Sequence, residues 1–140
     1  MSDFYYKFKS LELLQFATLS DQFEMDRTKG HTEVSFRYEP QVRTLDVRLS
    51  FMLVNNEDNT PLLKATLKSG FEIKEESLEQ LINNDEIVFP SSFLAHLVGL
   101  TYSSLRGIIF AKTEHTAFES FILPAQDIQS YIKEPFVYKK

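Results

Sequence analysis

Apolar and polar residues alternate through the first half of the chain, and the period lengthens to that of a helix in the second half. Phe4, Tyr6 and Phe8 alternate with Lys7 and Lys9, and the pattern resumes unevenly through Leu11, Leu13, Leu14 and Phe16. This reads as a bent or bulged strand, with an amphipathic helix as the other reading. The polar stretch from Asp21 to His31 contains Gly30 and reads as a crossover loop, in which Phe23 and Met25 either pin the loop to the body or form a wall of a binding surface. Val34, Phe36 and Tyr38 form a strand that breaks at Pro40. The clearest strand carries Leu45, Val47, Leu49, Phe51 and Leu53 on one face and Asp46, Arg48 and Ser50 on the other. A turn at 55–61 leads to a fourth strand, with Leu63, Ala65, Leu67, Phe71 and Ile73 opposed to Lys64, Thr66 and Lys68. Short connections make an antiparallel meander the economical topology.

After Lys74 the signals are helical. Ser77 is placed to cap a short helix through Leu78, Leu81 and Ile82 that stops at Asn83-Asn84. Ile87-Val88-Phe89-Pro90 then leads into a long helix, with Pro90 suited to its first turn and Arg106-Gly107 to its end. Ile108 to Phe110 reads as an extended exit and Lys112 to Glu119 as a loop, while Leu123-Pro124 opens a last helix ended by Pro135. The long helix is apolar on more than one side: Phe93, Leu94, Leu97, Val98, Leu100 and Leu105 exceed the stripe a surface helix needs, so it is expected to have two neighbours, the upstream sheet and either another helix or another subunit, and these six residues are expected at an oligomer interface. Strands first and helices after predict an α+β fold, a four-stranded antiparallel sheet followed by helices packed on one face.

A length of 140 residues suits one domain over 1–140. The 19 rings of Phe and Tyr exceed what a core of this size needs, which points some of them to an interface or an open groove, the plain alternative being that all are core. The net charge of −5 removes the electrostatic drive towards nucleic acid or anionic lipid. The chain has no cysteine, which removes disulfides, thiol nucleophiles and thiolate metal sites and is compatible with a reducing compartment. With no apolar run near the ~20 residues of a bilayer span and no signal-peptide pattern at the start, a cytoplasmic protein without membrane insertion is expected.

Chemistry is hard to place on these residues. His31, His96 and His115 are scattered, and the carboxylates near them, Glu33, Glu114 and Glu119, build no metal signature. The hydroxyls and arginine of Tyr102 to Gly107 lack the strand-turn-helix setting that activates a serine. No enzyme, metal or cofactor is expected.

The order of Gly70-Phe71-Glu72-Ile73, Ile87-Val88-Phe89-Pro90, Arg106-Gly107 and Leu123-Pro124 after a block of strands resembles the SecB family of protein-export chaperones over most of the chain. That resemblance implies a homotetramer built as a dimer of dimers, with helices sandwiched between sheets, that holds unfolded polypeptide clients in hydrophobic grooves without ATP. The residues expected to bind clients are Phe4, Tyr6 and Phe23 from the sheet edge and crossover loop, and Phe121, Ile128, Tyr131 and Ile132 near the last helix, chosen on position and apolarity. Two features depart from the family. Its acidic sheet face, which meets the SecA motor, is replaced here by Lys64, Lys68 and Arg48, which puts SecA binding in doubt, and Phe136 to Lys140 is basic and aromatic instead of an acidic helical extension. The other readings are a SecB-like chaperone dedicated to one client, such as an antitoxin, and an oligomeric scaffold without a client groove.

Overall fold

A computed structural model describes residues 4–127 and 130–140. Its main layer is an antiparallel sheet of β1 (Tyr6–Thr18), β2 (Thr28–Glu39), β3 (Thr44–Asn55) and β4 (Pro61–Ile73), in the order β1-β4-β3-β2. The expected bend in β1 is present as two irregularities, between Phe8 and Ser10 and between Leu13 and Gln15. The meander holds only for β2, β3 and β4, because β1 pairs with β4 at the far edge and the chain must cross the sheet end to reach β2. Residues 19–27 make that crossing, tied down by Leu19 N–H to the Leu62 carbonyl (2.7 Å) and Asn56 N–H to the Arg27 carbonyl (2.9 Å). The loop is shorter than its polar composition suggests. Thr28 already belongs to β2, so Gly30 and His31 are strand residues opposite Leu53 and Met52.

The two central strands supply the core. Leu45, Val47, Leu49, Phe51 and Leu53 of β3 are buried beside Leu63, Ala65, Leu67, Phe71 and Ile73 of β4, with the large Phe51 opposite the small Ala65. The alternate residues face outwards, where Lys68 pairs with Glu12 at 3.4 Å. α1 (Glu75–Leu81) starts from Lys74 with two glutamates in its first turn, where the helix dipole favours them. Ser77 is not its cap. It lies inside the helix, and its hydroxyl accepts the Tyr5 N–H at 2.7 Å. A two-residue loop with Asn84 in the left-handed region (φ 57°) then turns β5 (Ile82–Asn83) into β6 (Glu86–Phe89).

The long helix α2 (Ser91–Lys112) begins as expected, with the Pro90 carbonyl accepting the Leu94 N–H at 3.0 Å, but it does not stop at Gly107. It continues through the residues expected to be extended and closes at Thr113, whose hydroxyl bonds to the Ile109 carbonyl at 2.8 Å. Ile109 is fully buried, and its burial outweighs the ~1 kcal/mol that a helical glycine costs relative to alanine. At 22 residues α2 reaches the length and apolarity of a bilayer crossing, but its apolar side is committed to the core.

The second neighbour that α2 needs comes largely from this chain. Phe93, Leu94, Leu97, Val98 and Leu105 are all buried within the chain, and only Leu100 of the six expected interface residues stays half-buried. Sequence periodicity could not show that the chain returns over this helix: Phe118, Phe121 and Leu123 complete the same core. That return also replaces the expected last helix. The described residues after Thr113 contain no α-helix; the Tyr102 hydroxyl bonds to the Pro124 carbonyl and Leu123 is fully buried, which anchors the segment in an irregular form. Past Pro135 the chain forms a strand that the sequence reading lacked, β7 (Phe136–Lys139), antiparallel to β6 in a small second sheet of order β5-β6-β7.

Candidate functional site

Strand β2 is an edge strand, and its inward row has less cover than those of β3 and β4. Thr32, Val34 and Phe36 are only half-buried, and Tyr38 closes the row as a buried residue. Along this row runs a shallow apolar trough. At one end Phe23, from the crossover, meets Phe118 (centroids 5.3 Å apart) and Phe121 (5.8 Å), and Phe121 stacks on Phe51 at 5.9 Å and 18°. In the middle, Thr32, Val34, Val98, Tyr131 and Ile132 line a cavity of about 220 Å³. At the other end Phe36 meets Phe136 at 5.9 Å, and Tyr38 meets Phe89 and Tyr138 at 5.3 and 5.1 Å.

Local sequence explains this shape. Gly30 begins the inward row next to Phe51, and a Cβ added there would lie 2.8 Å from the Phe51 ring, so glycine lets that ring reach across to β2. Burial raises the Tyr38 hydroxyl above its ordinary value, with smaller opposing influences of Arg43, which lowers it, and Tyr138, which raises it. The phenol is neutral at physiological pH and acts as an apolar ring with a polar tip.

Of the client-binding residues expected from the sequence, the structure brings Phe23, Phe121, Tyr131 and Ile132 to this flank of the sheet. Phe121 is a floor residue, 5% exposed, whereas Tyr131 is 60% exposed at the rim. Ile128 lies outside the described residues. Phe4 and Tyr6 belong elsewhere, on the β1 side across the sheet, where Phe4 packs edge-on to Phe93 (5.1 Å) and Tyr6 to Phe71 (5.7 Å). The Tyr6 hydroxyl lies 2.7 Å from Nε2 of His96, and burial raises its pKa. The residues that the sequence reading missed, Thr32, Val34, Phe36, Tyr38, Phe136 and Tyr138, had a signal in each case: alternation in β2, and Phe-Val-Tyr alternation in β7.

Beside β1 the surface differs. Phe8, Leu11 and Leu14 are 40%, 48% and 38% exposed along an edge with no strand beyond it among the described residues. The outer sheet face is polar, with Arg48 directly across from Lys68 and Lys64 across from Met52. Among the described residues no three of His, Asp and Glu stand close enough together to hold a metal ion.

No family model and no curated protein sequence matches the chain. Its structure does have solved neighbours. The SecB-like chaperone Rv1957 of Mycobacterium tuberculosis, solved in complex with a ChAD peptide from the Rv1956 HigA1 antitoxin, superposes with a TM-score of 0.59 over 86% of this chain and 89% of its own, at 13% identity. A protein of unknown function from Streptococcus agalactiae superposes with a TM-score of 0.43 over 89% of this chain and 99% of its own, at 9% identity. The fold is α+β and SecB-like, a four-stranded antiparallel sheet with helices on one face.

Proposed function

We propose that this chain is a chaperone-like binder of extended, non-native polypeptide, a holdase that works without ATP or any catalytic step. The observation that carries the reading is the β2 trough: a row of half-buried apolar side chains beside an apolar cavity, rimmed by the exposed Tyr131. Apolar surface of this kind is left open where something binds it. The fold supports the reading, since the SecB-like neighbour was solved with a peptide bound. Work on a single client, as a dedicated chaperone of an antitoxin, is the second reading, and that neighbour's peptide favours it. Export through SecA has less support, because Arg48, Lys64 and Lys68 sit on the outer sheet face.

The protein is further proposed to assemble, as a dimer or tetramer in the cytoplasm, through the apolar β1 edge. A long edge strand with exposed Phe8, Leu11 and Leu14 is a ready template for pairing with a second copy. The test of function is suppression of aggregation of an unfolded model protein at stoichiometric amounts, at low and at high salt. Suppression that survives a few hundred millimolar salt is expected, because apolar contact is not screened. No suppression by an intact, folded oligomer would leave a scaffold as the better account.

A further inference from the structure

The trough opens as a cavity beside Thr32 and Val34, and beyond that cavity it is occupied by the chain itself. β7 is a four-residue strand held, among the described residues, on one side only, with Phe136 opposite Phe89, Val137 opposite Val88, Tyr138 opposite Ile87 and Lys139 opposite Glu86. Its two rings are two residues apart and fall on the same side, as strand geometry requires. Phe136 rests between Phe36 and Phe89 (5.9 and 6.0 Å), and Tyr138 rests on Tyr38 (5.1 Å). Phe36 and Tyr38 continue the row that begins with Thr32 and Val34, so both halves of the trough share one floor. Both rings of β7 are only half-buried, and Val137 and Lys139 are exposed. Short segments of this kind, with few buried contacts and an exposed hydrogen-bond ladder, are the first to open in a folded protein.

We propose that β7 is a built-in pseudo-client: it holds the downstream half of the trough until an extended polypeptide displaces it, pairs with β6 as an added strand, and seats apolar side chains at alternate positions against Phe36, Phe89 and Tyr38. This rests on the polypeptide-binding reading above and adds what that reading lacks, a preference and a control. The preferred segment is extended, with aromatic residues two apart as in Phe136-Val137-Tyr138, because strand addition reads alternate side chains. Unliganded protein pays for displacing its own strand, so apparent affinity is set below the intrinsic affinity of the open trough.

The chain has no cysteine, which permits a clean test. Val88 and Val137 are directly opposite, in the strands' outward-facing positions, so the full-length V88C/V137C protein can be locked by oxidation and released by reduction. Two probes are used: a labelled peptide with the chain's own sequence from Tyr131 to Lys140, and a permanently unfolded polypeptide such as carboxymethylated α-lactalbumin. The oxidised protein should bind both at least tenfold more weakly than wild type, and reduction should restore binding. In a second variant, F136S/Y138S, which removes the two rings of β7 and keeps Phe36, Tyr38 and Phe89 beneath them, the same peptide should bind at least tenfold more tightly than to wild type. Equal binding by the oxidised and reduced forms, with the disulfide confirmed by mass spectrometry, overturns the pseudo-client inference while leaving the polypeptide-binding reading standing. Failure of wild type and both folded variants to bind the unfolded polypeptide overturns the binding reading itself.

Discussion

Phe121 and Tyr131 both flank the trough, but the structure assigns them opposite consequences. Phe121 is 5% exposed, stacked on Phe51 at 5.9 Å and edge-on to Phe23 at 5.8 Å. Removing such a ring loses its transfer energy and leaves a cavity, a cost of about 3–5 kcal/mol for a core phenylalanine. The half-buried Phe23 beside it can relax into part of the space, so Phe121→Ala should cost about 3–4 kcal/mol. For a chain of this size each kcal/mol moves the melting temperature by about 3–4 °C, which makes the expected drop about 10–15 °C. Tyr131 is 60% exposed, and Tyr131→Ala should change stability by less than about 0.5 kcal/mol, or about 2 °C. Its effect should appear in binding instead: a rim aromatic that anchors a ligand is worth about 1–2 kcal/mol, or roughly a 5- to 30-fold weaker dissociation constant for an unfolded polypeptide. The assays are thermal melts at one fixed protein concentration, since assembly would make the midpoint concentration-dependent, and fluorescence titration with labelled polypeptide. A Phe121→Ala melt within about 3 °C of wild type, less than one kcal/mol on this scale, would refute the floor assignment. An equal fall in melting temperature for Tyr131→Ala would refute the rim assignment.

Three other substitutions test separate parts of the same account. Gly30→Ala places a methyl 2.8 Å from the buried Phe51 ring and should destabilise by about 1–3 kcal/mol through overpacking, read as a lower melting midpoint although alanine suits a strand better than glycine does. Asp46 has its pKa raised from the ordinary 3.8 chiefly by burial, against the lowering influence of Lys68, so the folded state holds that proton more tightly than the unfolded chain. Its contribution to stability therefore falls as pH rises through the shifted value, and Asp46→Asn should raise the melting temperature at pH 7 and leave it unchanged near pH 3; a gain at pH 3 equal to that at pH 7 would exclude the charge as its cause. Leu97→Asp puts a carboxylate at a fully buried position of α2, and should cost more than about 4 kcal/mol and abolish cooperative melting, a larger effect than the loss of a subunit contact alone.

The central sheet was legible because β3 and β4 alternate with a period of two over most of their length, with one face apolar but for Ser69 and the terminal Asn55. The order of strands was not, since nothing in the pattern of β1 says whether β2 or β4 will pair with it. Helix ends were read from glycine and proline, and those local preferences lost where tertiary burial was larger: Gly107 did not end α2 because Ile109 beyond it is fully buried. Leu123-Pro124 did not begin a helix, because Leu123 is buried and the Pro124 carbonyl takes the Tyr102 hydroxyl. For the candidate site, apolarity alone selected Phe23, Phe121, Tyr131 and Ile132, which the structure places along the β2 flank. It also selected Phe4 and Tyr6, which are equally aromatic but lie on the opposite edge.

That separation bears on how the proposed binding and the proposed assembly would coexist. β1 and β2 are the two edges of one sheet, with β4 and β3 between them, so the edges stand about 14 Å apart at the usual strand spacing. Their apolar surfaces also differ in kind. On β1 the exposed Phe8, Leu11 and Leu14 lie beside a backbone edge that no strand among the described residues pairs with, which suits a second strand of fixed register. On β2 the apolar row faces inward over a cavity and is partly roofed by the chain's own β7, which suits a segment that comes and goes. A partner copy seated on β1, as proposed, would leave the β2 trough free, and a client on β2 would leave the β1 edge to its partner. It follows that Leu11→Lys, on the exposed β1 edge, should dissociate the proposed assembly in light scattering while the affinity for an unfolded polypeptide per chain stays within about twofold, on the usual independence of sites that share no partners. Loss of assembly and of polypeptide binding together would place the client surface across the subunit junction and not along β2.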